Sequence, residues 1–195
     1  MKKTMKKAVF IDAGHGGKDP GCPLYLGEKK YNLRVAQCLA SMLRERGYVV
    51  GMSRGDDRSL SLEQRCQMAN AFYQANGGIF VSIHHNASDN PKAEGAEVYH
   101  AKNSRWGSVL AKNIGTGVRT YMYEHIAPYR GEKTGSYYVL VHTQAPAVLV
   151  ECEFMTSYNF RCIAQGPLPV QSTAQWINHA SKVILQGIEL TMNEK

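Results

Sequence analysis

The chain has 195 residues, of which 44% are hydrophobic and 20% charged, and it carries a net charge of +7. That length supports one domain with a real core, and the composition excludes a disordered chain. The positive charge suits an anionic polymer such as cell wall. The basic residues form no stripe interleaved with aromatics, which argues against nucleic acid, and no apolar run is long enough to span a membrane.

Residues 1–7 read as a basic leader, with four lysines before a short apolar run. The run stops at Asp12, too soon for the apolar stretch of a secretory signal, so no signal peptide is expected. The stretch 9–21 reads VFIDAGHGGKDPG. Three apolar residues lead into a glycine-rich turn, the pattern of a buried strand delivering a loop at its end. The glycines allow a sharp turn from which His15 projects. The run fits neither GxxxxGK[ST] nor GxGxxG, so a phosphate cradle is not indicated. A plain turn with an incidental histidine is the competing reading.

Residues 28–46 show helical spacing, with Leu33, Ala36, Leu39, Ala40 and Leu43 on one face and Gly47 as a stop. Glu28 opens this helix, where a carboxylate is favoured by the macrodipole; read alone, it is a solvated first-turn acid. Residues 48–53 read as a strand, and 54–59 as a polar turn. Ser61 and Gln64 fit a capping box for a helix reaching about residue 75. The apolar run 79–84 is a strand that delivers His84 and continues into His85 and Asn86. Neighbouring strand residues point to opposite faces, so His84 and His85 cannot share one site.

A short strand is expected over 96–100. A helix is expected over 103–124, burying Trp106, Val109, Leu110, Ile114 and Val118. Residues 127–136 read as a loop, 138–142 and 147–151 as the last two strands, and 172–192 as a closing helix. The final strand delivers Glu151. The cysteines Cys22, Cys38, Cys66, Cys152 and Cys162 are odd in number with no CxxC spacing, which favours reduced thiols. Strand–helix alternation implies an α/β domain with a largely parallel sheet, whose strand ends would bring His15, His84 and Glu151 together.

Two histidines and a carboxylate are the donors of a three-ligand catalytic zinc site, and His15, Glu28 and His84 would supply them. Glu151 would then be the unligated carboxylate that moves protons. The residues by themselves reach a metal-assisted hydrolase.

The segments VFIDAGHGGKDPG, GEKKYNLRVA, FVSIHHNAS and PAVLVECEFMTS occur in that order between Val9 and Ser157. Together they resemble the zinc-dependent N-acetylmuramoyl-L-alanine amidases of the Amidase_3 type. These are peptidoglycan hydrolases of bacteria and of phage endolysins. The resemblance implies a single α/β domain over residues 1–195, with a twisted, mostly parallel sheet of about six strands flanked by helices on both faces. It implies His15, Glu28 and His84 as Zn²⁺ ligands and Glu151 as general base. The implied reaction cleaves the amide between the lactyl group of muramic acid and the L-alanine of the stem peptide.

The chain departs from the family at Glu153, where a small glycine is usual, and at His85, where a small residue is usual. Glu153 shares a strand face with Glu151 two residues away. It is therefore expected to raise the pKa of Glu151 or to touch substrate, and Asn86 and His142 are further substrate-side candidates. Arg65 matches a recurrent arginine and reads as structural. Tyr129, Tyr137 and Tyr138 belong either to a sugar-binding groove or to the core. His100, His125 and His179 have no assigned role.

With no separate wall-binding domain or autoinhibitory insertion recognised, the expectation is an open, monomeric lysin. It would be released through a holin-type lesion or by non-classical export. Three other readings compete: a zinc peptidase cutting within the stem peptide, a wall-binding module without catalysis, and a hydrolase using Cys152 as nucleophile. Cys152 follows Glu151 directly and should face away from the site.

Overall fold

The computed structural model describes residues 7–121, 128–165 and 172–194. In chain order the elements are β1 (Ala8–Ala13), α1 (Glu28–Glu45), β2 (Val49–Met52), α2 (Leu62–Asn76), β3 (Ile79–Asn86) and β4 (Ala96–His100). They continue with α3 (Arg105–Tyr121), β5 (Tyr129–Thr134), α4 (Tyr138–Val141), β6 (Ala147–Phe154), α5 (Tyr158–Gln165) and α6 (Thr173–Asn193). The described strands form one six-stranded sheet in the order β2-β1-β3-β6-β4-β5. All neighbours run parallel except β4 and β6. The expected basic leader (residues 1–6 of it) and His125 lie outside the described residues.

The sheet is covered on both faces, which is why β1 and β6 are buried at every position. Along β1, Val9, Ile11 and Ala13 join the larger apolar cluster with Leu39 of α1, Leu110 of α3 and Ile184 of α6. Phe10 points the other way and packs with Phe80, Leu149, Ala69 of α2 and Leu140 of α4. The same alternation runs through β3 and β6. Ile83 and Val150 face α1 and α6, whereas Phe80, Ala147 and Leu149 face α2. Helices α3 and α6 cross closely at Gly187, where a Cβ would lie 2.4 Å from the Ile114 Cα.

Ser61 caps α2 with a reciprocal capping box through Gln64, as its sequence implies, and Ser172 and Gln175 do the same for α6.

Two expectations are corrected. The expected loop 127–136 contains β5, a charged, glycine-bearing strand held only along β4, so it carries no apolar run to betray it. The expected strand 138–142 is the single helical turn α4. Strand β6 already pairs with β3 on one side and β4 on the other, which leaves this segment no place in the sheet. It buries the adjacent residues Val139 and Leu140 against α2 instead. Among the described residues, no helix is long and apolar enough to cross a membrane.

Candidate active site

The site forms where β1, β3 and β6 end. Beyond Ala13 the chain turns, and Gly14 N–H donates to the Ile83 carbonyl at 3.0 Å. A Cβ on Gly14 would sit 2.3 Å from the His84 ring, so only glycine lets the turn pass this close. His15 follows with φ 59°, a left-handed conformation that costs a non-glycine residue energy and clusters at functional positions.

Two buried arginines hold this turn. Arg65 of α2 donates to Asp12 Oδ1, to the Ala13 carbonyl and to the His15 carbonyl at 2.6–2.7 Å. Arg54 donates to the carbonyls of Ala13, Gly14 and Lys29. The second of these clamps ties the turn to the first residues of α1.

Glu28 is the first residue of α1, after Gly27, and is only 4% exposed. The solvated first-turn acid is therefore excluded. His15 Nε2 lies 3.2 Å and His84 Nδ1 3.1 Å from the same oxygen, Glu28 Oε1. The three donor atoms all lie within 4.8 Å of one another. Burial opposes the charge on Glu28, but the hydrogen bonds and charges of the two imidazoles hold its carboxyl far below the usual range. Burial likewise works against a charged His15, yet Glu28 and Asp19 raise it to about 9.

The two shifts arise from the same contacts, which bind the three side chains into one cluster. Imidazole nitrogen and carboxylate oxygen are a fitting donor set for a divalent metal. His15 Nδ1 also lies 2.8 Å from Asp19 Oδ2, the carboxylate–histidine arrangement that fixes the ring of a metal-ligating histidine. Asp19 was not singled out in the sequence. Its only signal is its place four residues after His15 in the same turn. Asp19→Ala is expected to weaken metal binding about 10–100-fold. A competition titration against a chromophoric chelator reads this directly, and unchanged affinity would sink the role given to Asp19.

Glu151 stands directly across from His84 in the parallel β3–β6 register and across from Glu97 in the antiparallel β4–β6 register. It is buried, and its Oε2 has no hydrogen-bond partner among the described residues. Burial, aided by the charges of Glu28 and Glu97 and opposed by His84 and His15, raises its carboxyl to about 7. A cleft of about 670 Å³ joins His15, Glu28, His84 and Glu151, walled by Leu62, Tyr137, Tyr138 and Val139.

The family described as N-acetylmuramoyl-L-alanine amidase matches residues 9–180. The chain belongs to this amidase family. It is 31% identical over 153 residues to N-acetylmuramoyl-L-alanine amidase LytC of Bacillus subtilis (strain 168), covering 77% of this chain and 30% of that protein. It is 32% identical over 182 residues to the probable cell wall amidase LytH of Staphylococcus aureus, covering 91% of this chain and 58% of that one. The chain thus spans under two thirds of the length of both relatives. The crystal structure of an N-acetylmuramoyl-L-alanine amidase from Clostridium difficile 630 superposes with a TM-score of 0.84 at 29% identity, covering 99% of this chain and 100% of that one.

In this amidase-family chain the other candidate residues divide. Asn86 lines the cleft, and its Nδ2 donates to Glu97 Oε1 at 3.0 Å. Glu97 also receives Tyr99 OH, Arg130 Nε and Lys133 Nζ. Nothing in the sequence marks this buried carboxylate, which lies across from Glu151 in the β4–β6 register.

Glu153 is corrected. The register shifts between His84 and Asn86, so that β6 carries one extra residue there and the Glu151 face is not continued. Glu153 is fully buried, accepts from Gly95 N–H and Phe154 N–H, and does not line the cleft. His142 is exposed, stacks on Tyr138 at 3.8 Å and also lies outside the cleft lining. Tyr137 and Tyr138 wall the cleft, whereas the Tyr129 hydroxyl packs at Gly115 of α3. Cys152 is buried in the core on the far face, where burial pushes its thiol up and away from reactivity. All five cysteines are free thiols.

Proposed function

We propose that this chain is a zinc-dependent N-acetylmuramoyl-L-alanine amidase that cuts the lactyl–L-alanine amide of peptidoglycan. The observation that carries the reading is the convergence of His15, Glu28 and His84 on one point beside a buried carboxylate with a bare oxygen, Glu151. Such a set belongs to hydrolysis of an unactivated amide, where water must be deprotonated and a poor leaving nitrogen protonated.

His15, Glu28 and His84 would hold the zinc, which when bound supplies a Lewis acid that makes water more acidic and polarises a carbonyl. The chain's own part is proton handling and positioning. Glu151 Oε2 accepts the proton of the attacking water and passes it to the departing alanine nitrogen. A carboxyl raised toward neutrality can do both. Leu62, Tyr137, Tyr138 and Val139 give the cleft an apolar wall against which the substrate can be oriented.

Digestion of purified peptidoglycan, followed by mass spectrometry with and without a chelator, tests the reading. Free stem peptides with an L-alanine amino terminus beside intact glycan strands are expected, abolished by chelation and restored by zinc. Chelation should also lower the thermal midpoint. Metal at a hundredfold excess over Kd contributes about 2.7 kcal/mol, or about 5–11 °C for a chain of this size. New reducing sugar ends, or cuts inside the peptide, would overturn the assigned bond. Wall binding without product would bring forward the non-catalytic module.

A further inference from the structure

Behind Glu28 lies a buried polar pair that the proposed chemistry does not use. Asn32 sits one turn after Glu28 on α1 and is completely buried, on a face otherwise made of Tyr31, Val35, Ala36 and Leu39. Its Nδ2 donates to Glu28 Oε1 at 3.0 Å and to the Gly14 carbonyl at 3.2 Å. Both partners are acceptors only, so they fix which way the amide points. Its oxygen therefore faces the other way, where it meets His85 Nδ1 at 2.7 Å. An amide oxygen cannot donate, so His85 carries its proton on Nδ1.

The rest of the His85 ring is enclosed by Tyr31, Phe160 and Trp176, with ring centroids 5.9, 5.5 and 4.9 Å away. Its Nε2 has no hydrogen-bond partner among the described residues. A second proton there would face only aromatic rings, with no acceptor to meet it. The hydrogen bonds then run in one sense only. His85 Nδ1–H donates to Asn32, and Asn32 N–H donates to Glu28. The main-chain N–H of His85 donates to the same Glu28 oxygen at 3.1 Å, and Cys22 N–H donates to the other at 3.0 Å.

We propose that Asn32, locked in one orientation by His85, is the positioning residue that aims the Glu28 carboxylate at the metal. This rests on the metal-binding reading of His15, Glu28 and His84. Asn32 touches the support of each of the three. It holds Glu28 directly and His15 through the Gly14 carbonyl, where Arg54 also donates. It reaches the His84 strand through the neighbouring His85. An apolar residue at position 32 would continue the packing of that helix face, but would remove the side-chain donor that aims Glu28 Oε1.

Asn32→Leu and His85→Phe test this, each purified free of metal and titrated with zinc against a competing chelator. Near-ultraviolet circular dichroism and the metal-free thermal midpoint report the fold. Both variants are expected to fold and to bind zinc about 10–100-fold more weakly than the parent. The double variant should bind no more weakly than Asn32→Leu alone, because His85 acts through Asn32. The visible spectrum of the cobalt-loaded protein should change in Asn32→Leu, which a packing defect remote from the ligands would not cause.

Folded variants that bind zinc as tightly as the parent would overturn the proposal. So would loss of folding in both, which would make the pair a stability element. Failure of the metal reading looks different: the parent and Glu28→Gln would then bind zinc equally poorly.

Discussion

Glu151→Gln is expected to lower kcat/KM on peptidoglycan by about 10²–10⁴-fold, the usual contribution of a positioned acid–base group. The substitution keeps the shape of the side chain and removes only its capacity to take a proton. Zinc affinity should stay within a few-fold of the parent, because Glu151 is not among the three converging donors. The same change should make the metal-free protein more stable at alkaline pH.

The sign follows from burial, which raises the Glu151 carboxyl from 4.5 to about 7. The folded state therefore holds a proton that the unfolded state releases. Below about 4.5 both states are protonated and there is no penalty, whereas from 4.5 to 7 ionisation progressively favours unfolding. Glutamine has no such penalty. Its denaturation midpoint should match the parent near pH 4.5 and exceed it at pH 8. A variant that keeps full activity would remove Glu151 from the mechanism. One that loses activity together with its fold would show only that the residue is structural.

Arg65→Met is expected to destabilise the protein by about 3–5 kcal/mol, because it strands a buried charge rather than merely removing a bond. Asp12 and Arg65 are 1% and 4% exposed in their side chains and lie 2.7 Å apart. Burial opposes ionisation of Asp12, but Arg65 and Ser53 hold its pKa below the ordinary value. Asp12 thus contributes stability that is present at neutral pH and lost as pH falls from about 4 through its lowered folded value. Removing the guanidinium also takes its donor from the His15 carbonyl, whereas the Ala13 carbonyl keeps Arg54. The thermal midpoint should fall by about 6–20 °C. Adding Asp12→Asn should recover part of the loss, since the stranded charge goes with it. A loss below about 1 kcal/mol, the scale of an exposed pair, would show that the cluster is far better hydrated than its burial implies.

The sequence reading succeeded where one physical signal dominated. The runs ending at His15, His84 and Glu151 are apolar because their strands are buried on both faces, so they announce themselves. Glu28 is different. Its place at a helix start has a bland explanation, and it rises above that only as the third donor beside His15 and His84 and through its resemblance to a family motif. The segment 129–134 was illegible because an edge strand whose charges are held by Glu97 and solvent carries no apolar periodicity. The segment 138–141 misled because Tyr-Val-Leu-Val has strand composition, while the neighbours that β6 had already taken decided its shape. Glu153 was misplaced because a one-residue irregularity in β6 cannot be read from spacing. Asp19, Asn32 and Glu97 act through partners up to 53 residues away, and a single chain shows no trace of such pairings.

The register of β6 against β3 has a consequence for handling the protein. His84 faces Glu151 only because Phe80 pairs with Ala147, Ser82 with Leu149 and so on along the strands. A slip by one residue would present Val150 or Cys152 to the cleft and bury Glu151 among the aliphatic side chains beneath α6. Such a chain would still show nearly the same strand and helix content. Recovery after refolding, or quality after expression, is therefore better judged by hydrolysis of peptidoglycan, the proposed activity that needs Glu151 opposite His84, than by far-ultraviolet signal. His15 in the turn after β1, Glu28 on α1, His84 on β3 and Glu151 on β6 meet only when each strand has found its proper neighbour.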